Sequence, residues 1–361
     1  MKSLIIEKDK LIDNINKIKN HTNSTIIATL KNNGYGLGLD EYPKLLLENG
    51  IDFFAVSTVE EAITLRKNGF LNKILLLHST GISEDIELLL ENNIILTVGS
   101  LNTLQNVNSI AESKNMAANI HIKIDTGFGR FGFLPEDIDT LVDNIKLCSN
   151  VKIHGIYSHF SMSFNKKPKY TKKQFELFKM CVELINAKGI NTGISHICNS
   201  SAFLKFPDMH LDAVRVGSAF LGRILTPNNL KLNRIGYLKA NIEEIKNLPA
   251  SHFIGYSNTY KTNTPCKIAV IPTGYLDGIY IKKSTDCFRF NDVLRDIYGV
   301  IKGFHSKLYV TVHNKKAPIL GKIGTNNITI DITNVPCDIN DEVEININPM
   351  MTDKMIKREF V

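Results

Sequence analysis

Long apolar segments are missing from this 361-residue sequence. No stretch approaches the roughly 18 uninterrupted apolar residues that a membrane-spanning helix needs, so we expect no association with a membrane. CxxC pairs are also missing, which disfavours a zinc site or a disulfide framework and favours reduced thiols. The cysteines are Cys148, Cys181, Cys198, Cys266, Cys287 and Cys337. We therefore expect no bound metal.

Signals for secretion and for nucleic-acid binding are not found either. The N-terminal segment MKSLIIEKDKLIDNI contains acidic residues too early for a secretory signal, so we expect a cytoplasmic protein. The formal net charge is +7, but the lysines are scattered and alternate with Asp and Glu. The densest basic run, at 166–173, is better explained as a solvated loop and helix start than as a nucleic-acid patch.

The chain is longer than the roughly 250–300 residues at which one core usually divides, so we expect two domains. Apolar strand candidates alternate with amphipathic helices up to about residue 222, which predicts a parallel (β/α)8 TIM-type barrel, because parallel strands need such crossovers. A doubly wound sheet is the alternative, and the absence of a GxGxxG turn after the first strand disfavours it. The strand candidates are 25–31, 52–58, 73–78, 93–99, 119–127, 151–160, 193–199 and 212–218.

The pattern changes after Gly222, where short alternating runs are separated by Asn, Pro, Gly and Asp. This pattern predicts a smaller, mostly antiparallel β domain. We expect the barrel to span 8–228 and the β domain 229–361, with an N-terminal strand at 1–7 added to it. The runs expected to form its strands are 239–245, 266–274, 292–301, 307–313, 328–333 and 341–347.

Titratable side chains collect at the predicted C-terminal ends of the barrel strands, where active sites form in this fold. Each of them alone is compatible with a structural role, but buried charges need partners, and here the partners converge. The strand-end residues are Lys31, Tyr35, Lys123, Asp125, Arg130, His159, His196, Asn199, Ser200, Arg215, Gly217 and Ser218.

The last two strand ends resemble a phosphate cradle. Ser200 would face the turn at 216–218, where barrels often bind phosphate on backbone N–H groups and glycine allows close approach. Lys31 would lie at the end of the first barrel strand, at the same mouth of the barrel. A lysine for covalent attachment and an anchor for the phosphate are what pyridoxal 5'-phosphate requires. We therefore expect Lys31 to hold this cofactor.

Several ordered motifs resemble those of alanine racemases, which are fold-type III pyridoxal-phosphate enzymes. The motifs are KNNGYGLG, HIKIDTGFGRFGF, GIYSHF, HICNSSA and VRVGSAFLG in the predicted barrel, followed by IGYSNTY and IPTGYLDG in the β domain. They extend from residue 25 to about 330. The resemblance implies a homodimer in which each active site combines one barrel with the β domain of the other subunit, acting on a small amino acid.

The resemblance also implies the roles of individual residues. Lys31 would be one catalytic base, and Tyr256 of the other subunit would be the second. Arg215 would bond the pyridine nitrogen, and His159 would bridge Arg215 and Tyr256. The cofactor-binding residues would be Lys31, Tyr35, Arg130, His159, Asn199, Ser200, Arg215, Gly217 and Ser218.

The substrate region implied by the resemblance departs from the usual family pattern. Arg130 would lie near the phenolic oxygen of the cofactor, oriented by Lys123, which is carbamylated in many members. Tyr275 would belong to the substrate entry. Thr325 and Asn326 stand where the family usually has a Met-Asp pair, and no tyrosine follows Tyr309. We therefore expect a wider, less negative pocket that accepts alanine and also serine or a larger amino acid.

Two other functions remain open at this point. Fold-type III decarboxylases place an acidic residue, not an arginine, opposite the pyridine nitrogen. Non-catalytic pyridoxal-phosphate carriers resemble the barrel alone, so the long C-terminal part and Tyr256 disfavour that function.

Overall fold

The computed structural model describes residues 2–281, 290–303 and 307–361. Its strands are β1 (Lys2–Ile6), β2 (Thr25–Thr29), β3 (Phe53–Val56), β4 (Lys73–Leu76), β5 (Leu96–Val98), β6 (Ala118–Lys123), β7 (Val151–Tyr157), β8 (Ile194–His196), β9 (Ala213–Val216), β10 (Tyr237–Asn241), β11 (Glu244–Leu248), β12 (Phe253–Ile254), β13 (Tyr260–Lys261), β14 (Cys266–Ile271), β15 (Tyr309–Val312), β16 (Lys315–Leu320), β17 (Ile328–Asp331), β18 (Glu342–Ile345) and β19 (Lys357–Phe360).

The helices surround the barrel strands, with one further helix in the C-terminal part. They are α1 (Lys8–Lys19), α2 (Lys31–Tyr35), α3 (Glu41–Glu48), α4 (Val59–Lys67), α5 (Ser83–Glu91), α6 (Leu101–Ser113), α7 (Ile138–Leu147), α8 (Lys169–Ala187), α9 (Ser200–Lys205) and α10 (Phe290–Gly303). None of these described helices combines the length and the apolar character required to cross a bilayer.

The chain divides into two compact units. One is Lys8–Ile235, and the other is Gly236–Val361 together with the N-terminal residues up to Glu7. The division therefore lies a few residues beyond the expected 228/229 boundary. The segment before it belongs to the first unit because Asn14 of α1 exchanges hydrogen bonds with the backbone of Asn233, at 2.8 and 2.6 Å.

The first unit confirms the predicted (β/α)8 barrel. Its parallel sheet has the order β4-β3-β2-β9-β8-β7-β6-β5. A parallel bridge between Leu75 and Ile95 joins the two ends and closes the sheet. Apolar side chains from successive strands fill the interior, among them Ile27, Phe53 and Ala213. Burial of such side chains is the main favourable term for the fold, about 1.5–3 kcal/mol for each large one.

The barrel strands end earlier than the sequence predicts. β6 ends at Lys123 rather than at residue 127, and β7 ends at Tyr157 rather than at residue 160. The apolar pattern continues past these points, but the chain leaves the sheet. The residues that follow each strand are therefore free to turn across the mouth of the barrel.

The second unit contains a nine-stranded sheet with the order β11-β14-β17-β16-β15-β18-β10-β1-β19. Its pairings are antiparallel except between β1 and β19, and the pairing of β1 with β10 confirms the predicted N-terminal strand. The prediction of a strand at 292–301 is wrong, because this segment lies in α10. Its apolar residues Leu294, Ile297, Tyr298 and Ile301 recur every three or four positions, which is the period of a helix.

Candidate active site

A cavity of about 420 Å³ lies at the C-terminal ends of the barrel strands. It brings together every barrel residue that the sequence assigns to the cofactor, and also Lys123. These lining residues are Lys31, Tyr35, Lys123, Arg130, His159, Asn199, Ser200, Arg215, Gly217 and Ser218.

Lys31 is the first residue of α2, and the backbone turns sharply after it. Asn32, Asn33 and Gly34 have φ values of 54°, 56° and 62°, and Tyr35 has a φ of 55°. This left-handed conformation costs on the order of 1 kcal/mol for a residue with a side chain, and asparagine tolerates it best. The turn directs both Lys31 and Tyr35 into the cavity.

Glu61, which the sequence did not single out, stabilises this turn. Its carboxylate accepts hydrogen bonds from the backbone N–H of Asn33 at 3.1 Å and of Ser57 at 3.0 Å. The sequence signal was the Thr58-x-x-Glu61 pattern of a helix N-cap, and Thr58 does accept from the backbone N–H of Glu61. The carboxylate thus connects the start of α4 to the Lys31 turn.

At the predicted phosphate cradle, the side chain of Ser200 contacts the backbone of the turn after β9. The Ser200 hydroxyl accepts from the backbone N–H of Gly217 at 3.0 Å and of Ala219 at 3.3 Å. A Cβ at Gly217 would lie 2.5–2.7 Å from ring atoms of Tyr35, so no side chain fits there. Burial raises the pKa of Tyr35 to about 12, against a hydrogen bond from the backbone of Ser218 that lowers it. The phenol therefore stays protonated at neutral pH.

Asn199 lines the cavity, but its side chain serves as the N-cap of α9. The side-chain amide oxygen of Asn199 accepts hydrogen bonds from the backbone N–H groups of Ser201 and Ala202, and from the Ser163 hydroxyl at 2.8 Å. These bonds fix the start of α9 and hold Ser200 at the cradle.

Arg215 lies in β9 and is almost fully buried. Its terminal nitrogens donate to the carbonyls of Ser158 at 2.7 Å and Ile197 at 3.1 Å, and to Nδ1 of His159 at 3.2 Å. They also donate to the carbonyl and to Nδ1 of His196. Burial lowers the pKa of Arg215 to about 10, which leaves the guanidinium charged at neutral pH.

His196 lies inside the barrel beneath Arg215, so its predicted place at the mouth is wrong. Strand β8 points this side chain inward, where it stacks on Tyr157 with ring centroids 4.9 Å apart. Because Arg215 can only donate, Nδ1 of His196 accepts and Nε2 carries the proton. That Nε2–H donates to Nδ1 of His121 at 3.0 Å. Burial, together with the charge of Arg215, holds the pKa of His196 well below its usual range.

Asp125 also has a different role from the one its strand-end position indicated. Its carboxylate accepts from four successive backbone N–H groups, those of Gly127, Phe128, Gly129 and Arg130, at 2.7–3.2 Å. Burial raises its pKa, but these bonds outweigh burial and the net shift is downward. Asp125 therefore shapes the loop that carries Arg130 and is not a lining residue of the 420 Å³ cavity.

The cavity lining is cationic. It includes Arg130, Arg215 and the amines of Lys31 and Lys123, and no Asp or Glu lines it in the part of the chain that the structure describes. The Lys123 amine lies 4.1 Å from the centroid of the Tyr157 ring. Burial lowers the pKa of Lys123 well below its usual range, and the charges of Arg215 and Arg130 lower it further. Such a site fits a ligand with several negative charges.

His159 is neutral in this environment, because burial and then the charge of Arg215 hold its pKa well below the usual range. The rest of the wall, which the sequence did not single out, comes from the strand ends at Thr29 and Tyr157, from α9 and from loops. The remaining lining residues are Thr29, Ser57, Leu77, His78, Phe128, Phe131, Tyr157, Phe164, Ser201 and Leu225.

The other candidate residues lie in the second unit. Tyr256 is 72% exposed and follows Gly255, whose φ is 75°. The Thr325 hydroxyl donates to the Tyr275 hydroxyl at 3.2 Å, and Asn326 is exposed. The Thr325 hydroxyl is therefore already engaged by a neighbouring side chain.

Comparison with known proteins identifies relatives for both units. The family model "Alanine racemase, N-terminal domain" matches residues 6–224, and "Alanine racemase, C-terminal domain" matches residues 235–357. Alanine racemase 1 of Oceanobacillus iheyensis is 33% identical over 343 residues, which cover 92% of this chain and 85% of that protein. Alanine racemase of Clostridium tetani is 35% identical over 346 residues, which cover 94% of this chain and 84% of that protein.

The fold agrees with these matches. The structure of alanine racemase from Clostridium difficile 630 superposes with a TM-score of 0.88 at 27% identity, covering 100% of this chain and 95% of that one. The chain therefore belongs to the alanine racemase family of amino-acid racemases.

Proposed function

We propose that the protein interconverts L- and D-alanine with pyridoxal 5'-phosphate as cofactor. The observation that carries the proposal is the cavity at the barrel mouth, which holds Lys31, the Ser200–Gly217 cradle and Arg215 in its walls. These are the three parts that the cofactor needs, namely an amine for covalent attachment, an anchor for the phosphate and a partner for the pyridine ring.

The residues present fit this cofactor. The hydroxyls of Tyr35 and Ser200 lie beside Gly217, where an added side chain would have no room, and Ser218 lines the same cavity. Within the described residues, the hydrogen bonds of Arg215 come from its two terminal nitrogens. The Nε–H of Arg215 would therefore be the group that donates to the pyridine nitrogen of the bound cofactor. The cationic wall matches the phosphate and the phenolic oxygen.

When bound, pyridoxal phosphate makes the α-hydrogen of an attached amino acid acidic enough to be removed. The Lys31 amine would take this proton from one face of the α-carbon and return a proton to the same face in the reverse direction. Arg215 keeps its own proton, because a guanidinium is not deprotonated in proteins. It therefore binds the ring without transferring a proton to it, and neutral His159 accepts from Arg215 through Nδ1.

Racemisation also needs an acid–base group on the opposite side of the α-carbon, because the proton must leave one face and return to the other. We assign this role to Tyr256 of a second copy. Its high exposure within a single chain supports this assignment, since an exposed phenol is available to another molecule. The protein would thus act as a homodimer with shared active sites.

Arg130 and Tyr275 are the proposed contacts of the substrate carboxylate, with Thr325 and Asn326 beside them. Because the Thr325 hydroxyl donates to Tyr275, it orients that phenol rather than selecting a substrate hydroxyl. Asn326 remains the polar group for that purpose. We therefore propose that alanine is the main substrate and that serine or a larger amino acid is also accepted.

Lys123 is the proposed site of carbamylation. Its lowered pKa favours the neutral amine, which adds to carbon dioxide with loss of one proton. The resulting carbamate would be anionic, and the neighbouring charges of Arg130 and Arg215 would stabilise it. We also place the protein in the cytoplasm, which the free thiols of the described cysteines support.

Neither alternative function agrees as well with the site. A decarboxylase of this fold would need an acidic residue where the buried, charged Arg215 stands. A carrier that resembles the barrel alone would not account for the match of residues 235–357 to the C-terminal family model.

The test is a panel of L-amino acids, including alanine and serine, incubated with purified protein and pyridoxal phosphate, with product chirality measured. We expect D-alanine, and D-serine at a kcat/KM less than about 1000-fold lower, a gap of roughly 4 kcal/mol. Lys31→Ala should lose both the activity and the visible absorption of the bound cofactor. Decarboxylated products, or no change of chirality, would contradict the proposed function.

A further inference from the structure

Helix α10 presents its apolar side chains to solvent. Its large apolar residues recur every three or four positions and therefore share one side of the helix, which we call the apolar stripe. In a single copy of the chain they are between 46% and 76% exposed. The residues of the apolar stripe are Phe290, Leu294, Ile297, Tyr298 and Ile301.

Two acidic side chains of α10 are better covered than the apolar stripe, whereas the Arg295 side chain is 69% exposed. The Asp292 side chain is only 17% exposed and pairs with Arg295 at 2.7 Å, and Asp296 is half-buried. A surface helix normally turns its apolar side to the core and its charges to water. In a single copy of the chain the apolar stripe faces water, so another molecule must cover it for its apolar groups to leave water.

Charge argues against a membrane as the covering surface. Helices that lie on lipid surfaces carry an excess of Lys and Arg on their polar side. The sequence of α10, FNDVLRDIYGVIKG, contains two acidic and two basic residues and has no such excess. The apolar stripe therefore fits a protein surface.

The size of the stripe fits part of a dimer interface. Five large side chains, each about half or more exposed, offer roughly 500 Å², compared with the roughly 800 Å² that each partner buries in a stable complex. Leu276, Tyr280 and Ile281, in the segment of the same unit that leads toward α10, are 42–56% exposed as well. A second copy is already required by the proposed function, because Tyr256 must come from it.

We propose that the apolar stripe of α10 docks on a second copy of this chain and stabilises the dimer that completes the active sites. The inference rests on the proposed function for the need of a second copy, but the contact itself follows from the exposure of the stripe. It assigns to α10 a role in assembly rather than in the chemistry.

The test compares two neighbouring substitutions on α10. Ile301 and Val300 are 61% and 63% exposed, but they point about 100° apart around the helix axis, and only Ile301 belongs to the stripe. We expect Ile301→Asp to raise the dimer dissociation constant at least about tenfold, and Val300→Asp to change it less than about threefold. Sedimentation equilibrium with pyridoxal phosphate present measures both constants. Leu294→Asp/Ile301→Asp provides a stronger second variant.

Binding of pyridoxal phosphate to the barrel cavity reports whether the barrel of each variant is folded, and near-ultraviolet circular dichroism compared with Val300→Asp reports on the unit that carries α10. An unchanged dissociation constant for both stripe variants, or a monomeric wild-type protein, would overturn the inference. Binding of the wild type, but not of Ile301→Asp, to phosphatidylserine vesicles would also overturn it and assign the stripe to lipid. The racemisation assay is separate, so a wild-type dimer without racemase activity would reject the proposed function and leave the contact intact.

Discussion

Gly217 illustrates how a single position constrains the candidate site. The Tyr35 ring occupies the space where a side chain would start, with ring atoms 2.5–2.7 Å from an added Cβ. Real Cβ atoms do not make contacts this short, and Tyr35 lines the cavity, so the ring would have to move within the cavity. Any substitution at Gly217 must therefore displace the phenol that lines the cradle.

We predict that Gly217→Ala weakens binding of pyridoxal phosphate at least about tenfold, which is roughly 1.4 kcal/mol. Titration of the cofactor-free protein, followed by absorbance, gives the dissociation constant. Gly299→Ala is the matched control, because among the described residues an added Cβ there meets no atom within 4 Å. If Gly217→Ala binds the cofactor as tightly as the control does, the cradle is assigned wrongly.

The location of a site residue can be predicted from the sequence when the residue lies at the C-terminal end of a barrel strand. Lys31 and Arg215 follow or end barrel strands, and the fold alone brings such positions to one mouth. Asp125 and His196 have similar sequence positions but do not line the cavity. The bonds of Asp125 to its own loop and the inward direction of His196 depend on local geometry that a strand-end position does not specify.

Strands β6 and β8 carry two buried histidines, His121 and His196, into the interior of the barrel. Burial lowers the pKa of His121 to about 3, and burial and the charge of Arg215 lower that of His196 as well. An unfolded histidine has a pKa near 6.5, so below about pH 6.5 the unfolded chain binds more protons than the folded one. Stability must therefore fall as the pH decreases.

We predict that the unfolding free energy falls below about pH 6.5 by roughly 1.4 kcal/mol per pH unit for each of these two histidines. For His121 the decrease continues down to its folded pKa of about 3. His121→Gln keeps an acceptor for the Nε2–H of His196 and removes one titrating group. Urea unfolding between pH 5 and 7 should show a shallower slope for this variant, and identical slopes would contradict the prediction.

At the level of elements, the sequence specified strand order better than strand length or type. Apolar runs located every barrel strand, but they continued into the loops that leave the sheet after β6 and β7. In the second unit, residues 292–301 were assigned to a strand because the neighbouring runs alternate. The three- and four-residue spacing within them was the stronger signal, and it specified α10.

The whole molecule consists of two units that hold different parts of the proposed machinery. The barrel unit contains Lys31, Arg215 and the cradle, whereas Tyr256 and Tyr275 belong to the β unit. The sequence predicts two domains, because the spacing of apolar residues changes after Gly222. The proposed sharing of sites between copies rested on the resemblance alone, since no pattern within one chain specifies which copy supplies a residue.

The central claim is that each active site combines Lys31 of one copy with Tyr256 of another. The measurement that tests it most directly is the racemase activity of heterodimers purified through two different affinity tags. One heterodimer pairs a Lys31→Ala copy with a Tyr256→Phe copy. The other pairs a copy carrying both substitutions with a wild-type copy, so the two heterodimers contain the same residues in different arrangements.

If sites are shared, the first heterodimer has one intact site, and we predict roughly half of the wild-type activity per dimer, because a two-fold symmetric dimer has two equivalent sites. The second heterodimer then has no intact site and should be as inactive as the double variant. The reverse result, an inactive first heterodimer and a half-active second one, would contradict the claim, because it would place Lys31 and Tyr256 of the same copy in one site.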